Sequence, residues 1–159
     1  MAGGAPVRVL LVAGGVGAPP IVAAAGMLAG AGVPFDAVLG AQTASRLWGE
    51  ERLSSLGAGT VLVTTDDGSR GIKGFTTDAM SRLLGERDYG LVMSCGPQPM
   101  MAGVARLARS AGIACQVSTE RMMGCGFGAC NSCNVTMAAG GYRSCCSDGP
   151  VFDAEELAW

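Results

Sequence analysis

Five of the seven cysteines in this 159-residue chain lie between positions 125 and 146. Cys125, Cys130 and Cys133 follow the spacing C-x4-C-x2-C, and Cys146 comes after twelve further residues. This is the ligand spacing of plant-type [2Fe–2S] clusters. Glycines between these cysteines leave backbone N–H groups free to face the sulfurs and offset the charge of four thiolates. The spacing therefore predicts a [2Fe–2S] centre on a loop.

A zinc site with four cysteine ligands is the alternative interpretation of the same residues. Zinc sites more often combine two short C-x2–4-C pairs, and we recognise only one such knuckle here, between Cys130 and Cys133. The iron–sulfur interpretation is therefore favoured. Spacing alone does not decide whether Cys145 or Cys146 is the fourth ligand.

Composition excludes several other classes of protein. The chain contains no histidine, which rules out Ser-His-Asp and Cys-His catalysis, histidine-ligated zinc and Rieske centres. A formal charge of −2 without a basic run argues against nucleic acid as a partner. The apolar run 9–13 is shorter than the roughly 20 residues that span a bilayer, and it has no signal-peptide pattern. We therefore expect a cytoplasmic protein with reduced thiols and no membrane partner.

Short apolar runs alternate with helix-like segments as far as residue 119. Uninterrupted apolar strands separated by helices predict an α/β fold with a doubly wound parallel sheet. We expect an NAD-binding domain over 1–119 and a Cys-rich [2Fe–2S] loop segment over 120–159. The five predicted strands are 7–13, 35–39, 60–65, 89–95 and 113–118, and the predicted helices are 18–31, 44–56, 76–84 and 98–111.

A glycine-rich turn follows the first predicted strand. Gly14, Gly15 and Gly17 lie where backbone N–H groups contact a pyrophosphate in dinucleotide-binding folds. Pro20 occupies the place of the last glycine of the G-x-G-x-x-G pattern, so a tight turn without a ligand is an equal alternative on this feature alone.

The choice between NAD and NADP depends on the ends of the second and third strands. The turn 40–42 after the second strand holds neither an acidic residue for a ribose nor an arginine for a 2′-phosphate. Asp66 and Asp67 after the third strand would repel a 2′-phosphate. These residues favour NAD over NADP.

Several motifs together resemble the electron-transfer subunit of NAD-dependent dihydroorotate dehydrogenase, a member of the ferredoxin–NADP reductase superfamily. The resemblance extends over essentially the whole chain and implies the NAD domain of a ferredoxin reductase. The motifs are GGVGAPP at 14–20, TDDGS at 65–69, KGF at 73–75, CGPQPM at 95–100, ERMMGCG at 120–126 and CSDGPVF at 146–152.

The resemblance implies roles for individual residues. It identifies Cys146 as the last cluster ligand and Cys145 as a bystander. It places Gly15 and Gly17 beside the pyrophosphate and Glu120 near the flavin ring. The remaining implied contacts are Asp66, Asp67 and Ser69 near the dinucleotide, and Cys95, Gly96 and Pro97 near the nicotinamide and isoalloxazine.

The resemblance also implies partners and cofactors. Electrons from dihydroorotate, oxidised on a partner subunit's FMN, would pass through the cluster and FAD to NAD⁺ in a hetero-oligomer, and no catalytic residue is assigned to this chain. Family members begin with a β-barrel of about a hundred residues that holds FAD, a size typical of a small domain. Since Met1 lies a few residues before the first predicted strand, we expect an incomplete FAD site in this chain. Three explanations would account for a chain without this barrel. The chain is a fragment, the barrel is encoded separately, or the protein keeps the cluster but no longer binds flavin.

Other functions remain open at this point. The small subunit of NADH-dependent ferredoxin–NADP reductase has a similar tail but typically carries Asp in place of the first cysteine, so Cys125 favours the dihydroorotate branch. A four-cysteine zinc assembly module and an isolated domain that binds NAD weakly are the remaining alternatives.

Overall fold

The computed structural model describes residues 7–159, and residues 1–6 at the start of the predicted first domain lie outside the described residues. Two sheets are formed, one of seven strands and one of two. The strands are β1 (Val9–Gly14), β2 (Phe35–Ala41), β3 (Val61–Thr65), β4 (Ile72–Lys73), β5 (Leu91–Cys95), β6 (Ala114–Ser118), β7 (Asn134–Thr136), β8 (Tyr142–Ser144) and β9 (Val151–Asp153).

The seven-stranded sheet has the order β4-β3-β2-β1-β5-β6-β9. Strands β1, β2, β3, β5 and β6 are parallel, which confirms the predicted doubly wound core. Two edge strands were not predicted: β4 pairs with β3 in parallel, and β9 pairs with β6 antiparallel. The segment after residue 119 therefore shares the main sheet.

The helices differ from prediction in two places. Residues 44–56 do not form one helix, because Gly49 adopts a left-handed φ of 102° that separates a 3-10 turn (Ala44–Arg46) from a short α-helix. The third helix continues through Gly85 instead of ending there. The helices are α1 (Ala18–Gly30), α2 (Glu50–Ser55), α3 (Thr76–Glu86) and α4 (Gln98–Ser110).

Alternate residues of β1 enter two separate cores. Leu11 packs with residues of α1 on one face, whereas Leu10 packs with residues of α3 and α4 on the other. Both leucines are fully buried, which explains why the strand reads as a continuous apolar run. The second core also contains Val135 and Phe152, so the Cys-rich segment is anchored in it.

The buried carboxylate of Asp36 in β2 connects residues that precede β1 and β5, at the end of the sheet opposite the glycine-rich turn. Asp36 has no exposed surface. Its carboxylate accepts hydrogen bonds from Arg87 Nη1 at 2.9 Å, Tyr89 Oη at 2.8 Å and Arg8 Nη1 at 3.3 Å. Burial is the main cause that raises the pKa of Tyr89 well above its usual value, and the hydrogen bond to Asp36 adds to the increase.

None of the helices in the described part of the chain combines the length and apolar character needed to cross a bilayer.

Candidate cluster loop and dinucleotide cleft

The four cysteines of the predicted cluster lie on one loop system as two pairs. The Sγ atoms of Cys133 and Cys146 are 3.4 Å apart, and the thiols of Cys125 and Cys130 are hydrogen-bonding neighbours. The charge of Cys125 also contributes to raising the pKa of Cys146. Within residues 7–159 no three His, Cys, Asp or Glu side chains are gathered as closely as a single metal ion requires. A two-by-two arrangement of thiols suits a centre with two metal atoms.

Backbone N–H groups stabilise the thiolate of the first cysteine. Hydrogen bonds from the backbone of Phe127 and Cys130 lower the pKa of Cys125 to about 6. The N–H of Ala129 also donates to Cys125 Sγ at 3.3 Å. This ligand is therefore prepared for metal binding, which requires the thiolate.

The hydroxyl of Ser132 supports the second cysteine. Ser132 Oγ lies 3.0 Å from Cys130 Sγ, and this contact lowers the pKa of Cys130. Ser132 Oγ also accepts a hydrogen bond from the Gly124 N–H at 3.1 Å. The serine thus joins the start of the loop to its second thiol.

Left-handed backbone conformations curl the loop. Gly126 and Gly128 have φ values of 77° and 86°, and Asn131 has a φ of 58°. Glycine and asparagine tolerate this region better than other residues. The sequence thereby allows a tight path between Cys125 and Cys133.

The structure separates the two adjacent cysteines that spacing could not distinguish. Cys145 is completely buried and its Sγ lies 3.1 Å from Thr119 Oγ1, inside the second core. Cys146 is partly exposed and lies beside Cys133, a contact that raises the pKa of Cys146. Of the two adjacent cysteines, only Cys146 therefore contacts another of the predicted ligands, Cys133.

The sheet and the two-stranded hairpin hold the loop at both ends. The N–H of Cys145 donates to the carbonyl of Cys133 at 3.1 Å, and the N–H of Thr119 donates to the carbonyl of Pro150 at 2.9 Å. Asp148 Oδ2 accepts the Ser144 N–H at 2.7 Å. Two pairs of thiols with N–H donors to sulfur form a donor set that fits an iron–sulfur cluster with two metal atoms.

A cleft of about 650 Å³ opens at the carboxyl ends of β1, β2 and β3, where ligands bind in open α/β sheets. It is formed by the glycine-rich turn, the loop after β2 and the first turns of α3 and α4. Four of the predicted dinucleotide residues line it, namely Gly14, Gly15, Asp66 and Pro97.

Gly17 and Gly96 serve close backbone packing at the base of this cleft. A Cβ on Gly17 would collide with the carbonyl of Cys95, and one on Gly96 would stand 2.9 Å from the carbonyl oxygen of Gly14. The turns after β1 and β5 therefore touch because neither glycine has a side chain.

We expect Gly17→Ala to destabilise the protein by more than about 2 kcal/mol, because the new methyl group must displace backbone. Gly26→Ala in α1 is the matched control, since nothing lies within 4 Å of the added Cβ. The control is expected to stabilise by about 0.5–1 kcal/mol through helix propensity. Urea unfolding of both variants measures the difference, and equal effects would contradict the packing assignment.

Asp67 and Ser69 shape the loop after β3. Asp67 Oδ1 accepts hydrogen bonds from Ser69 Oγ at 2.6 Å and Ser69 N–H at 2.9 Å, and these bonds lower the pKa of Asp67. Ser69 Oγ in turn accepts the Ala44 N–H at 2.8 Å. The pair connects the loops after β2 and β3 beside the cleft.

Cys95 and Glu120 lie at the carboxyl ends of β5 and β6. Cys95 is buried, and that burial raises the pKa of its thiol, so it is a poor nucleophile. The carboxylate of Glu120 is exposed and acts on Cys95 by charge. Cys115 in β6 is buried, with a pKa raised to about 11 by that burial, as a core cysteine.

Three cleft residues escaped the prediction. Phe75 is exposed although it is aromatic, and Arg106 projects from α4. Arg46 also lines the cleft, although it lies beyond the turn 40–42, which contains no arginine, as stated from the sequence. Arg46 lies four residues beyond Gln42 in the sequence. The 3-10 turn after β2 returns the chain toward the cleft, so that both residues line it. That turn was predicted as part of a helix.

Comparisons with known proteins agree with this architecture. Residues 120–158 match the iron–sulfur cluster binding domain of dihydroorotate dehydrogenase B. The chain is 40% identical over 153 residues to the dihydroorotate dehydrogenase B (NAD(+)) electron transfer subunit of Bacillus caldolyticus, covering 94% of this chain and 57% of the relative. It is 40% identical over 152 residues to the homologous subunit of Thermotoga maritima, covering 96% and 53%.

A solved structure of NADH-dependent reduced ferredoxin-NADP oxidoreductase has a TM-score of 0.86 and 38% identity. The match covers 96% of this chain and 54% of that one. The chain thus spans about half the length of the proteins it matches.

The fold and the cysteine loop define an α/β domain similar to that of a ferredoxin-NADP oxidoreductase, with an attached segment similar to an iron–sulfur cluster binding domain. The similarity to the iron–sulfur cluster binding domain of dihydroorotate dehydrogenase B is confined to residues 120–158. The chain as a whole is related to the electron transfer subunits of that enzyme, which confirms the resemblance seen in the motifs.

Proposed function

We propose that this chain transfers electrons from dihydroorotate oxidation to NAD⁺ in pyrimidine biosynthesis. The observation that carries the proposal is the placement of four clustered thiols on a loop that leaves the carboxyl end of β6. That end of the sheet also bears the cleft. One-electron and hydride chemistry are thereby placed on neighbouring parts of one chain.

Cys125, Cys130, Cys133 and Cys146 are the proposed ligands of a [2Fe–2S] cluster. The two close pairs and the N–H donors to Cys125 support this assignment. When bound, such a cluster carries one electron at a time between two flavins. We propose that parts 1–119 and 120–159 differ in function. They are not separate folding units, because both parts contribute strands to the same sheet.

The cleft is the proposed NAD site. Gly14 and Gly15 bring backbone close to a pyrophosphate, and Gly17 lets the turn rest on β5. Asp66 lines the third side, while Asp67 and Ser69 fix the loop that carries it.

The carboxyl ends of β5 and β6 form the proposed flavin-facing side. Gly96 lets the turn after β5 pack against Gly14, and Pro97 lines the cleft beside it. Cys95 ends β5, and Glu120 follows the end of the neighbouring strand β6. FAD bound there would also need residues of a barrel domain. The proposed partners are that barrel and an FMN-containing catalytic subunit. The name of the relatives, electron transfer subunit, supports a catalytic partner.

Mixing the cluster-loaded chain with the FMN subunit, an FAD-loaded barrel, dihydroorotate and NAD⁺ tests the function. NADH formation followed at 340 nm is expected to depend on this chain. The Cys146→Ala variant, which removes one proposed ligand, is expected to support no NADH formation. Equal rates with and without the chain would contradict the proposal.

A ferredoxin-reducing subunit that uses NAD(P)H is the second candidate function. It is favoured by the similarity to the NADH-dependent reduced ferredoxin-NADP oxidoreductase over 96% of this chain. Replacing dihydroorotate and its FMN subunit by oxidised ferredoxin, and NAD⁺ by NAD(P)H, distinguishes the two candidates through the loss of NAD(P)H absorbance at 340 nm.

A further inference from the structure

A serine hydroxyl contacts one of the four proposed cluster ligands. Ser132 Oγ lies 3.0 Å from Cys130 Sγ. Within residues 7–159, no other proposed ligand has a side-chain hydroxyl at its sulfur. The sulfur of Cys125 is contacted instead by the backbone N–H of Ala129, which a side-chain substitution leaves in place. The Ser132 hydroxyl is therefore a donor that mutagenesis can remove by itself.

The neighbours of this hydroxyl fix the direction of its hydrogen bond. Its oxygen accepts the Gly124 N–H at 3.1 Å, so its single proton remains for donation. Two acceptors lie within reach, Cys130 Sγ at 3.0 Å and the Met122 carbonyl oxygen at 3.4 Å. A cysteine that ligates a metal has lost its own proton and cannot donate. The hydroxyl therefore donates to the sulfur, which is the closer acceptor and the charged one.

A donor at a ligand sulfur acts on the reduction equilibrium of an iron–sulfur centre. Reduction adds one negative charge to the centre. Hydrogen bonds strengthen as the charge on the acceptor grows, so a hydroxyl at the sulfur stabilises the reduced state more than the oxidised state. Hydrogen bonds to the sulfurs are among the factors that set the reduction potential of such centres.

We propose that Ser132, acting through Cys130, raises the reduction potential of the cluster. The inference rests on the proposed iron–sulfur function of the loop and deepens it. In the step concerned the cluster gains one electron, and the hydroxyl keeps its proton. A higher potential favours entry of an electron into the centre, so Ser132 adjusts how electrons divide between the centre and its two proposed flavin neighbours.

A redox titration of the full chain, reconstituted anaerobically with iron and sulfide, tests the inference. The titrant is dithionite, and the EPR signal of the reduced centre is the readout. Ser132→Ala is expected to shift the one-electron equilibrium about tenfold toward the oxidised state, a fall of about 59 mV in potential. Ser132→Thr keeps the hydroxyl and is expected to keep the wild-type potential. Ser132→Val has the branched shape of threonine without the hydroxyl, so its potential is expected to fall as in Ser132→Ala.

Ser147→Ala is the matched control. Ser147 directly follows Cys146, as Ser132 directly precedes Cys133, and both serines are exposed. In the described part of the chain, Ser147 Oγ makes no hydrogen bond to a cysteine sulfur. This variant is therefore expected to keep the wild-type potential.

Three results overturn the inference and leave the proposed function standing. The first is a wild-type potential in Ser132→Ala and Ser132→Val. The second is an equal fall in Ser147→Ala, which would make the effect unspecific. The third is a cluster that assembles with threonine at position 132 but not with alanine or valine, because the hydroxyl would then serve assembly and not potential. If the wild-type chain assembles no cluster, the inference and the proposed function are both overturned.

Discussion

Replacing Cys146 by alanine is expected to abolish assembly of the iron–sulfur cluster, whereas the same replacement of Cys145 leaves assembly intact. Cys146 lies 3.4 Å from Cys133 by their sulfur atoms. Cys145 points into the core, with its sulfur 3.1 Å from Thr119 Oγ1. The two residues are adjacent in sequence but face different surroundings.

The expected size of the effect follows from the role of each thiol. Losing a residue that merely orients a metal ligand lowers metal affinity about 10- to 100-fold, so losing the ligand itself costs more. The Cys145→Ala variant loses a buried sulfur and one weak hydrogen bond, which costs about 1–2 kcal/mol of folding stability. Cys145→Ala therefore controls for the disturbance of the loop.

Iron and acid-labile sulfide per chain, measured after anaerobic reconstitution, distinguish the two variants. We expect background iron in Cys146→Ala and wild-type iron in Cys145→Ala. The reverse result would make Cys145 the fourth ligand and would contradict the geometry of the loop. Far-ultraviolet circular dichroism shows whether either apoprotein has lost its fold.

Replacing Asp36 by alanine is expected to lower the free energy of unfolding by about 3 kcal/mol, the range for breaking a buried charge cluster. Its carboxylate is fully buried and accepts bonds from Arg8, Arg87 and Tyr89. Without it, the buried hydroxyl of Tyr89 loses its acceptor, and two arginines lose their counter-charge. The melting temperature should fall by about 6–12 °C.

Two milder variants separate this cluster from ordinary surface effects. Glu86→Gln breaks an exposed ion pair with Arg82 and is expected to cost less than about 1 kcal/mol. Tyr89→Phe removes one bond to Asp36 and is expected to cost about 1 kcal/mol. Thermal unfolding of the three variants gives the order, and an Asp36→Ala change no larger than that of Glu86→Gln would contradict the cluster's role.

The parallel core was predictable because its strands are buried on both faces and therefore apolar throughout. The edge strands were not. Val151 and Asp153 of β9 are exposed while Phe152 is buried, and three residues are too few to show a pattern. This strand exists because residues 116–118 offer it a free edge.

The helix over residues 44–56 was wrongly predicted as continuous. Leu47, Leu53 and Leu56 offered apolar side chains for packing, but the left-handed Gly49 interrupts the chain. The break has a consequence for the site, since it leaves the Ala44–Arg46 turn beside the cleft. The position of Arg46 beside the cleft could not be predicted from the sequence, because its distance from the end of β2 depends on the conformation of this turn.

The intervals between the cluster cysteines were recognisable in the sequence, but the directions of their side chains were not. Cys125, Cys130 and Cys133 stand out by their intervals alone. The choice between Cys145 and Cys146 depends on which side chain the hairpin turns inward. That choice follows from packing against Thr119, a residue 26 positions away. The Asp36 cluster is hidden for the same reason, as Arg87 lies 51 positions from it.

The most direct test of the account is metal and sulfide analysis of the full chain after anaerobic reconstitution, with an EPR spectrum of the reduced sample. We expect two irons and two acid-labile sulfides per chain, the composition of a [2Fe–2S] centre. The reduced sample should show the signal of a single unpaired electron. About one zinc per chain without labile sulfide, the stoichiometry of one four-cysteine zinc site, would contradict the account.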